Sequence, residues 1–248
     1  MENALLVGLS RQMALGRELD VIANNMANVT TNGFKARESR FQEFTMPVAR
    51  ANTFRPQDRA LSFVVDAGTA LDTAQGAVET TGNSLDAAIK GDGFFAVQTP
   101  AGERYTRNGA FTLDATGQLV TSDGHPVLGD NGPITIGPQE TDLAFAPDGT
   151  VSTSQGQRGH LRLVRFDDAN ALQNEGGNLF SSRVPAQPAG ATSRVEPGTI
   201  ERSNVKPVIE MNRLIEVNRA YTSVAGMLSR LDEMKRTAIS RLADVSSS

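Results

Sequence analysis

The chain contains no cysteine among its 248 residues. This excludes disulfides, thiolate nucleophiles and cysteine-ligated zinc. It contains no tryptophan, and aromatic residues make up only 5%. A pair such as Asp66, Asp72, Asp86 or Asp114 would need an aromatic-lined polar groove to cleave sugars, and the composition does not supply one. Only two histidines are present, His125 and His160, and neither belongs to a spaced ligand set. The formal net charge is -4 and the sequence pI about 5.3, which argues against nucleic acid or an anionic membrane as partner. No stretch approaches the roughly 18 apolar residues of a membrane span. The opening MENALLVGLSRQM has no basic region before its apolar residues, and the run breaks at Gly8 to Gln12. Neither a cleaved secretory signal nor membrane insertion is therefore predicted.

Site chemistry also fails to converge. GDGFF at 91–95 resembles a glycine-rich nucleotide loop, but it lacks the six-position glycine pattern and leads into a strand. DNG and PDG lack the acidic ladder of a calcium loop. Ser10, Ser62 and Ser84 lie in no nucleophile elbow. No catalytic, cofactor-binding or metal-binding residues are expected.

What is present is a helix at each end. In residues 3–29, Leu5, Gly8, Gln12, Leu15, Leu19, Ile22, Met26 and Val29 recur three and four apart, the spacing of a coiled-coil seam. Leu6, Leu9 and Met13 run beside it. Near the C-terminus Leu214, Val217, Tyr221, Val224, Leu228, Leu231, Lys235, Ala238, Leu242 and Val245 keep the same spacing, flanked by Ile215, Met227 and Met234. SNVKP at 203–207 opens that helix: Ser203 or Asn204 is placed to cap it and Pro207 fits the first turn. The simplest arrangement pairs the two helices antiparallel.

The middle is punctuated by DATG, SDGH, GDNG and APDG, in which Asp starts a turn and Gly accepts positive φ. HLRLVRFDD at 160–168 reads as one alternating strand, with Leu161, Leu163 and Phe166 apolar. The fold class is a mainly β central domain inserted between N- and C-terminal α-helices that pair as an antiparallel coiled-coil arm. The boundaries are 1–34 for the first helical arm and its turn, and 35–79 for an extended linker with some β. An antiparallel β domain at 80–170, an extended return segment at 171–202 and the second arm at 203–248 follow.

The end of the first helix poses a question. IANNMANVTTNGF at 22–34 holds four asparagines, residues a helix interior tolerates poorly. Asn24, Asn25 and Asn28 are expected to present amides sideways to another subunit. Asn32-Gly33 turns the chain, and Phe34 anchors the turn.

Four segments carry a resemblance: ANNMANVTTNGFKA at 23–36, TGNSLDAAIKGDGFFAV at 81–97, YTRNGAFTLDATGQLVTSDGHPVLG at 105–129, and ERSNVKPVIEMNRLIEVNRAY at 201–221. With them the chain resembles the bacterial flagellar axial proteins, the family of rod and hook subunits, and its proximal-rod members most. Ser84, where the family commonly has proline, and Ile200, in a motif that usually carries leucine, are departures. The resemblance implies a structural subunit of the basal-body rod, assembling helically around the export channel and transmitting torque. It implies a rod crossing the periplasm, reached by export from the cytoplasm through the flagellar type III apparatus. The partners implied are copies of itself, other rod subunits and that apparatus, with no cofactor. The expected assembly interface is Leu5, Leu15, Leu19, Ile22, Asn24, Asn25, Met26, Asn28, Asn32, Gly33, Phe34, Asn204, Leu214, Val217, Tyr221, Val224, Leu228 and Leu231. A distal-rod or hook-type subunit is the alternative. A β binding module with helical oligomerisation arms would instead need a polar concave site in 80–170.

Overall fold

The computed structural model describes residues 2–45, 62–168, 171–190 and 193–245. The chain divides into two compact units, one made of residues 1–26, 37–70 and 207–248, the other of 27–36 and 71–206.

The first unit contains helix α1 (Glu2–Ala27), a two-stranded pair formed by Arg37–Thr45 and Ser62–Leu71, and helix α2 (Pro207–Val245). The two helices approach each other along their length. A methyl group placed on Gly8 would lie 2.6 Å from the Leu228 side chain, and one on Gly16 would lie 3.8 Å from the Tyr221 ring. Arg213 pairs with Glu18 at 3.1 Å, and the Asn25 amide donates to Glu210 at 3.4 Å. As the residue number rises on α1 it falls on α2, so the contacts step in opposite directions along the two helices. Gly8, which breaks the apolar spacing, therefore has a packing reason. A glycine in a helix interior costs about 1 kcal/mol relative to alanine, and a side chain here would push the Leu228 methyl group aside. Ala14, Ile22 and Val217 are buried, whereas Leu5, Leu15, Leu19, Leu214, Val224, Leu228 and Leu231 are half-buried. The side chains of Leu242 and Val245, the last two seam positions, lie outside the described residues.

The second unit is built on a six-stranded antiparallel sheet. Its order is Leu172–Gly176, Leu179–Ser182, Gly102–Thr106, Phe94–Thr99, Leu163–Arg165, Gln187–Pro188. The run FFAV fits a strand buried on both faces, which needs no alternation. Phe95 and Val97 enter one core with Phe111, Leu119, Val127 and Leu161, while Phe94 and Ala96 enter another with Tyr105, Val164 and Phe180. Edge-to-face ring pairs extend both cores, Phe95 with Phe111 at 5.1 Å and Phe94 with Phe180 at 5.6 Å. Smaller pairs surround the sheet, among them Arg194–Pro197 with Ala87–Lys90 and Thr199–Glu201 with Val78–Thr80.

Two readings of the sequence change here. HLRLVRFDD is not one strand. His160 ends the strand Gly156–His160, and Leu163–Arg165 begins another in a different sheet. The chain crosses between sheets at Leu161, whose amide donates to Gly149 and whose side chain is fully buried. Residues 171–202 are not simply an extended return. Among the described residues they contribute five strands, three of them in the six-stranded sheet. Register partners supply the burial that their own sequence lacks, as where Phe180 lies opposite Tyr105.

Candidate functional site at a buried ionic junction

α1 ends at Ala27 and α2 begins at Pro207, and between these points the chain must leave one helix and re-enter the other. In the second unit the two crossings lie side by side. The Gly33 amide donates to the Glu201 carbonyl at 2.7 Å, and the Asn204 amide to the Phe34 carbonyl at 3.3 Å. Phe34, Ala36 and Val205 form a small apolar cluster over these bonds, with Val29 packed against it.

Three charges are buried beside them. Glu201 receives Lys35 Nζ at 2.7 Å on one carboxylate oxygen and Arg107 Nε at 2.5 Å on the other. The side chains are 1%, 0% and 3% exposed in the order Lys35, Glu201, Arg107. Desolvation of charges this deep is expensive, so the remaining donors must be satisfied. Lys35 also donates to the Ala74 carbonyl at 2.7 Å, and the Gly76 amide donates to Glu201 at 2.9 Å. Arg107 donates to the carbonyls of Ile89 at 2.9 Å, Gly91 at 2.7 Å and Gly93. Burial pushes the Lys35 ammonium below its ordinary value. Glu201 opposes that shift, and the nearby Arg107 charge adds to it.

The four segments that carry the family resemblance meet here. Lys35 comes from NGFKA, Arg107 from YTRNG and Glu201 from ERSNV, while the carbonyls that receive Arg107 lie in LDAAIKGDGFF. Glycines allow the approach. Gly33 has φ +67°, and a Cβ there would lie 2.4 Å from the Asn108 nitrogen. A Cβ on Gly109 would lie 1.6 Å from the Ala87 carbonyl oxygen. Sequence reasoning missed Lys35, Arg107 and Glu201, because a lone charged residue normally belongs at the surface. Their one signal was that each lies inside a segment that carries the family resemblance.

The asparagine question is answered residue by residue. Asn25 is 1% exposed, and both ends of its amide serve this chain. Its nitrogen donates to the Arg37 carbonyl at 2.9 Å, and its oxygen accepts from the Arg37 amide at 3.0 Å. It joins helix to strand rather than presenting itself sideways. The Asn32 side chain accepts from Arg202 at 2.9 Å. The Asn28 oxygen accepts from the Thr31 hydroxyl at 3.2 Å. Asn204 does not act through its side chain as a helix cap. Its oxygen accepts from the Ala36 amide at 2.7 Å and its nitrogen donates to the Asp72 carbonyl at 2.9 Å, because the crossing strands leave those backbone groups unpaired. Asn24 is exposed and Met26 half-buried.

Neither histidine joins this junction. The His125 amide donates to the Thr121 hydroxyl, and His160 faces Asp130 at 3.2 Å. Among the described residues, no group of three or more histidine, aspartate or glutamate side chains is placed to hold a metal, and no helix is long and apolar enough to cross a membrane.

A helix at each chain end and a β-rich unit whose buried ionic cluster is built from the four motifs fit the flagellar axial resemblance, and comparison with known proteins agrees. Residues 5–35 match the flagella basal body rod protein family, 88–153 the D1 domain of the flagellar hook protein FlgE/F/G family, and 196–241 the C-terminal region of flagellar basal body rod FlgEFG proteins. The chain is 44% identical over 248 residues to the flagellar basal-body rod protein FlgF of Caulobacter vibrioides, covering 99% of this chain and 100% of that protein. It is 31% identical to the protein of the same name from Escherichia coli, covering 94% and 95%. It is 33% identical to the flagellar basal-body rod protein FlgG of Bacillus subtilis, covering 94% and 97%. The chain belongs to the flagellar basal-body rod protein family, which is a structural family and not one of enzymes.

Proposed function

We propose that this chain is an FlgF-type subunit of the proximal rod, carrying torque and enclosing the export channel as one element of a helical assembly. The FlgF-named relatives from Caulobacter vibrioides, Mesorhizobium japonicum and Rhizobium meliloti, at 44%, 36% and 36% identity, support this type; FlgG-named relatives stand at 33–34%, and the FlgF-named relatives of Escherichia coli and Salmonella typhimurium at 31% and 32%. Its helices pair as an antiparallel coiled-coil arm. The pairs Gly8 with Leu228, Gly16 with Tyr221, Glu18 with Arg213 and Asn25 with Glu210 support that geometry. The subunit leaves the cytoplasm through the flagellar type III apparatus.

The observation that carries the reading is the open apolar surface of both helices. Leu6, Leu9 and Met13 on α1 are exposed, as are Val208, Ile209, Met211, Ile215, Met227 and Met234 on α2. Each helix turns one face to the other and leaves apolar side chains over. Fully burying such a side chain contributes about 1.5–3 kcal/mol, and neighbouring subunits would provide that cover. Contacts repeated from copy to copy leave both ends of an assembly open, so it grows as a filament.

Deletion of the gene tests this. Cells lacking the chain should build neither hooks nor filaments and should not swim, and a plasmid copy should restore both. A deletion strain that still forms hooks would overturn the reading.

A further inference from the structure

The two helices leave apolar patches on opposite sides of the first unit. On α1, Gly8, which meets Leu228, and the buried Ile22 lie within about 40° of each other round the axis and mark the face turned to α2. On α2, Leu228 and the buried Val217 mark the face turned to α1 in the same way. Leu6, Leu9 and Met13 lie about 100–180° round α1 from both of its markers. Val208, Met211 and Ile215 lie about 100–180° round α2 from both of its own. All six side chains are between 44% and 73% exposed, so neither patch is covered within the chain.

The outer face of α1 is bare only in part. It continues as Arg17, Asp20 and Asn24, three and four residues apart. There the chain covers itself. Arg17 pairs with Asp66 of the strand Ser62–Leu71 at 3.3 Å, and Asp20 and Asn24 share a cleft with Arg37, Ser39 and Asp66. The chain's own strands thus reach up α1 to Arg17, and the three apolar residues lie beyond their reach.

The two patches match in spacing. Leu6, Leu9 and Met13 are three and four residues apart, and so are Val208, Met211 and Ile215. Laid antiparallel, Leu6 falls opposite Ile215, Leu9 opposite Met211 and Met13 opposite Val208, and the three pairs keep one register to within a residue. In that register Pro207, where α2 begins, falls just past Met13, so a second α2 would end short of Arg17 and the strands that cover it. Within one chain the register is different. Gly8 stands opposite Leu228 and Gly16 near Tyr221, which leaves Leu9 and Met211 about 24 Å apart along the axis.

We propose that Leu6, Leu9 and Met13 of one copy pack against Val208, Met211 and Ile215 of the next, with the next copy displaced by about 24 Å along the helix axis. Copies in one filament point the same way. The outer side of α1 in one therefore meets the outer side of α2 in the next with the helices running in opposite directions, as they do inside each chain. Two different surfaces are used, so every contact leaves one α1 patch and one α2 patch free for further copies, and the stack does not close on a pair. This contact rests on the rod assembly above and adds which helix faces meet, and at what stagger.

The absence of cysteine makes a direct test possible. An untagged copy carrying Leu9→Cys and a tagged copy carrying Met211→Cys are expressed together, and basal bodies are purified under mild oxidation. A disulfide-linked dimer of tagged and untagged chains is expected. Met227→Cys in place of Met211→Cys should give none, because it would lie about 24 Å away. One chain carrying both Leu9→Cys and Met211→Cys should give a ladder that runs past dimers. Rods that contain both chains but yield no dimer, a dimer through Met227→Cys, or a ladder that stops at dimers would each overturn the contact. Absence of the chain from basal bodies would overturn the rod reading itself. Charge exchange gives a second measurement. Leu9→Lys and Met211→Glu should each lose swimming while the purified chain keeps its circular dichroism spectrum, and the double variant should regain it. Wild-type swimming of the Leu9→Lys variant, or a double variant no better than either single one, would contradict the pairing.

Discussion

Replacing Glu201 with alanine should unfold the β-rich unit under conditions in which the parent chain is stable. The substitution leaves Lys35 and Arg107 side by side, both almost fully buried, with no carboxylate between them. It also leaves the Gly76 amide without its acceptor. Removing one partner of a buried ion pair costs about 3–5 kcal/mol, a large part of the roughly 5–15 kcal/mol that keeps a domain folded. Urea denaturation of the purified chain, followed by circular dichroism, reads the loss as a lower midpoint. Lys90→Ala is the comparison. Lys90 also pairs with a glutamate, Glu196 at 3.1 Å, but it is 69% exposed, and such a pair contributes about 0–1 kcal/mol. Equal, small shifts for Glu201→Ala and Lys90→Ala would show that the junction is not what holds the crossings together.

Leu228→Asp should have the second large effect, and a different one. Leu228 meets the backbone of Gly8, where no side chain intervenes, so an aspartate carboxylate would be brought against an apolar helix surface with no partner. The helices should separate, and with them rod assembly and swimming should be lost. The β-rich unit has its own cores around Phe95 and Phe180 and should keep its strands. Circular dichroism of the variant should therefore lose helical signal and retain strand signal. Loss of both together would contradict the division of the chain into two separately packed units.

The elements at the chain ends were legible because helix period and packing agree there. Gly8 and Gln12 interrupt the apolar spacing of the first seam, yet Gly8 is where the Leu228 side chain packs. Phe94–Thr99 was legible as a strand, but its burial on both faces was not, since that depends on partners far along the chain. The strands in 171–202 were hidden for the same reason. They are short, they turn at Gly176, Gly177 and Asn178, and they gain order from register with strands near residues 88 and 105.

The junction was half legible. The motifs that compose it marked the family, but their charged members read as surface residues when taken one at a time. A lysine at 35, an arginine at 107 and a glutamate at 201 carry no sign in sequence that they share one site, because the pairing of Thr199–Glu201 with Val78–Thr80 is what helps bring them together. Asn25 was marked as unusual and Asn204 read as a helix cap, and the physical reason for both lies in backbone groups left unpaired where the chain crosses from helix to strand.

The central claim is that the chain is a rod subunit whose two terminal helices pair antiparallel. Electron cryo-microscopy of basal bodies purified from the native cell tests it most directly. The account predicts that the rod map contains this chain, with density for α1 and α2 side by side and antiparallel. A rod map in which the two helices of this chain lie apart, or in which the chain is absent, would contradict it.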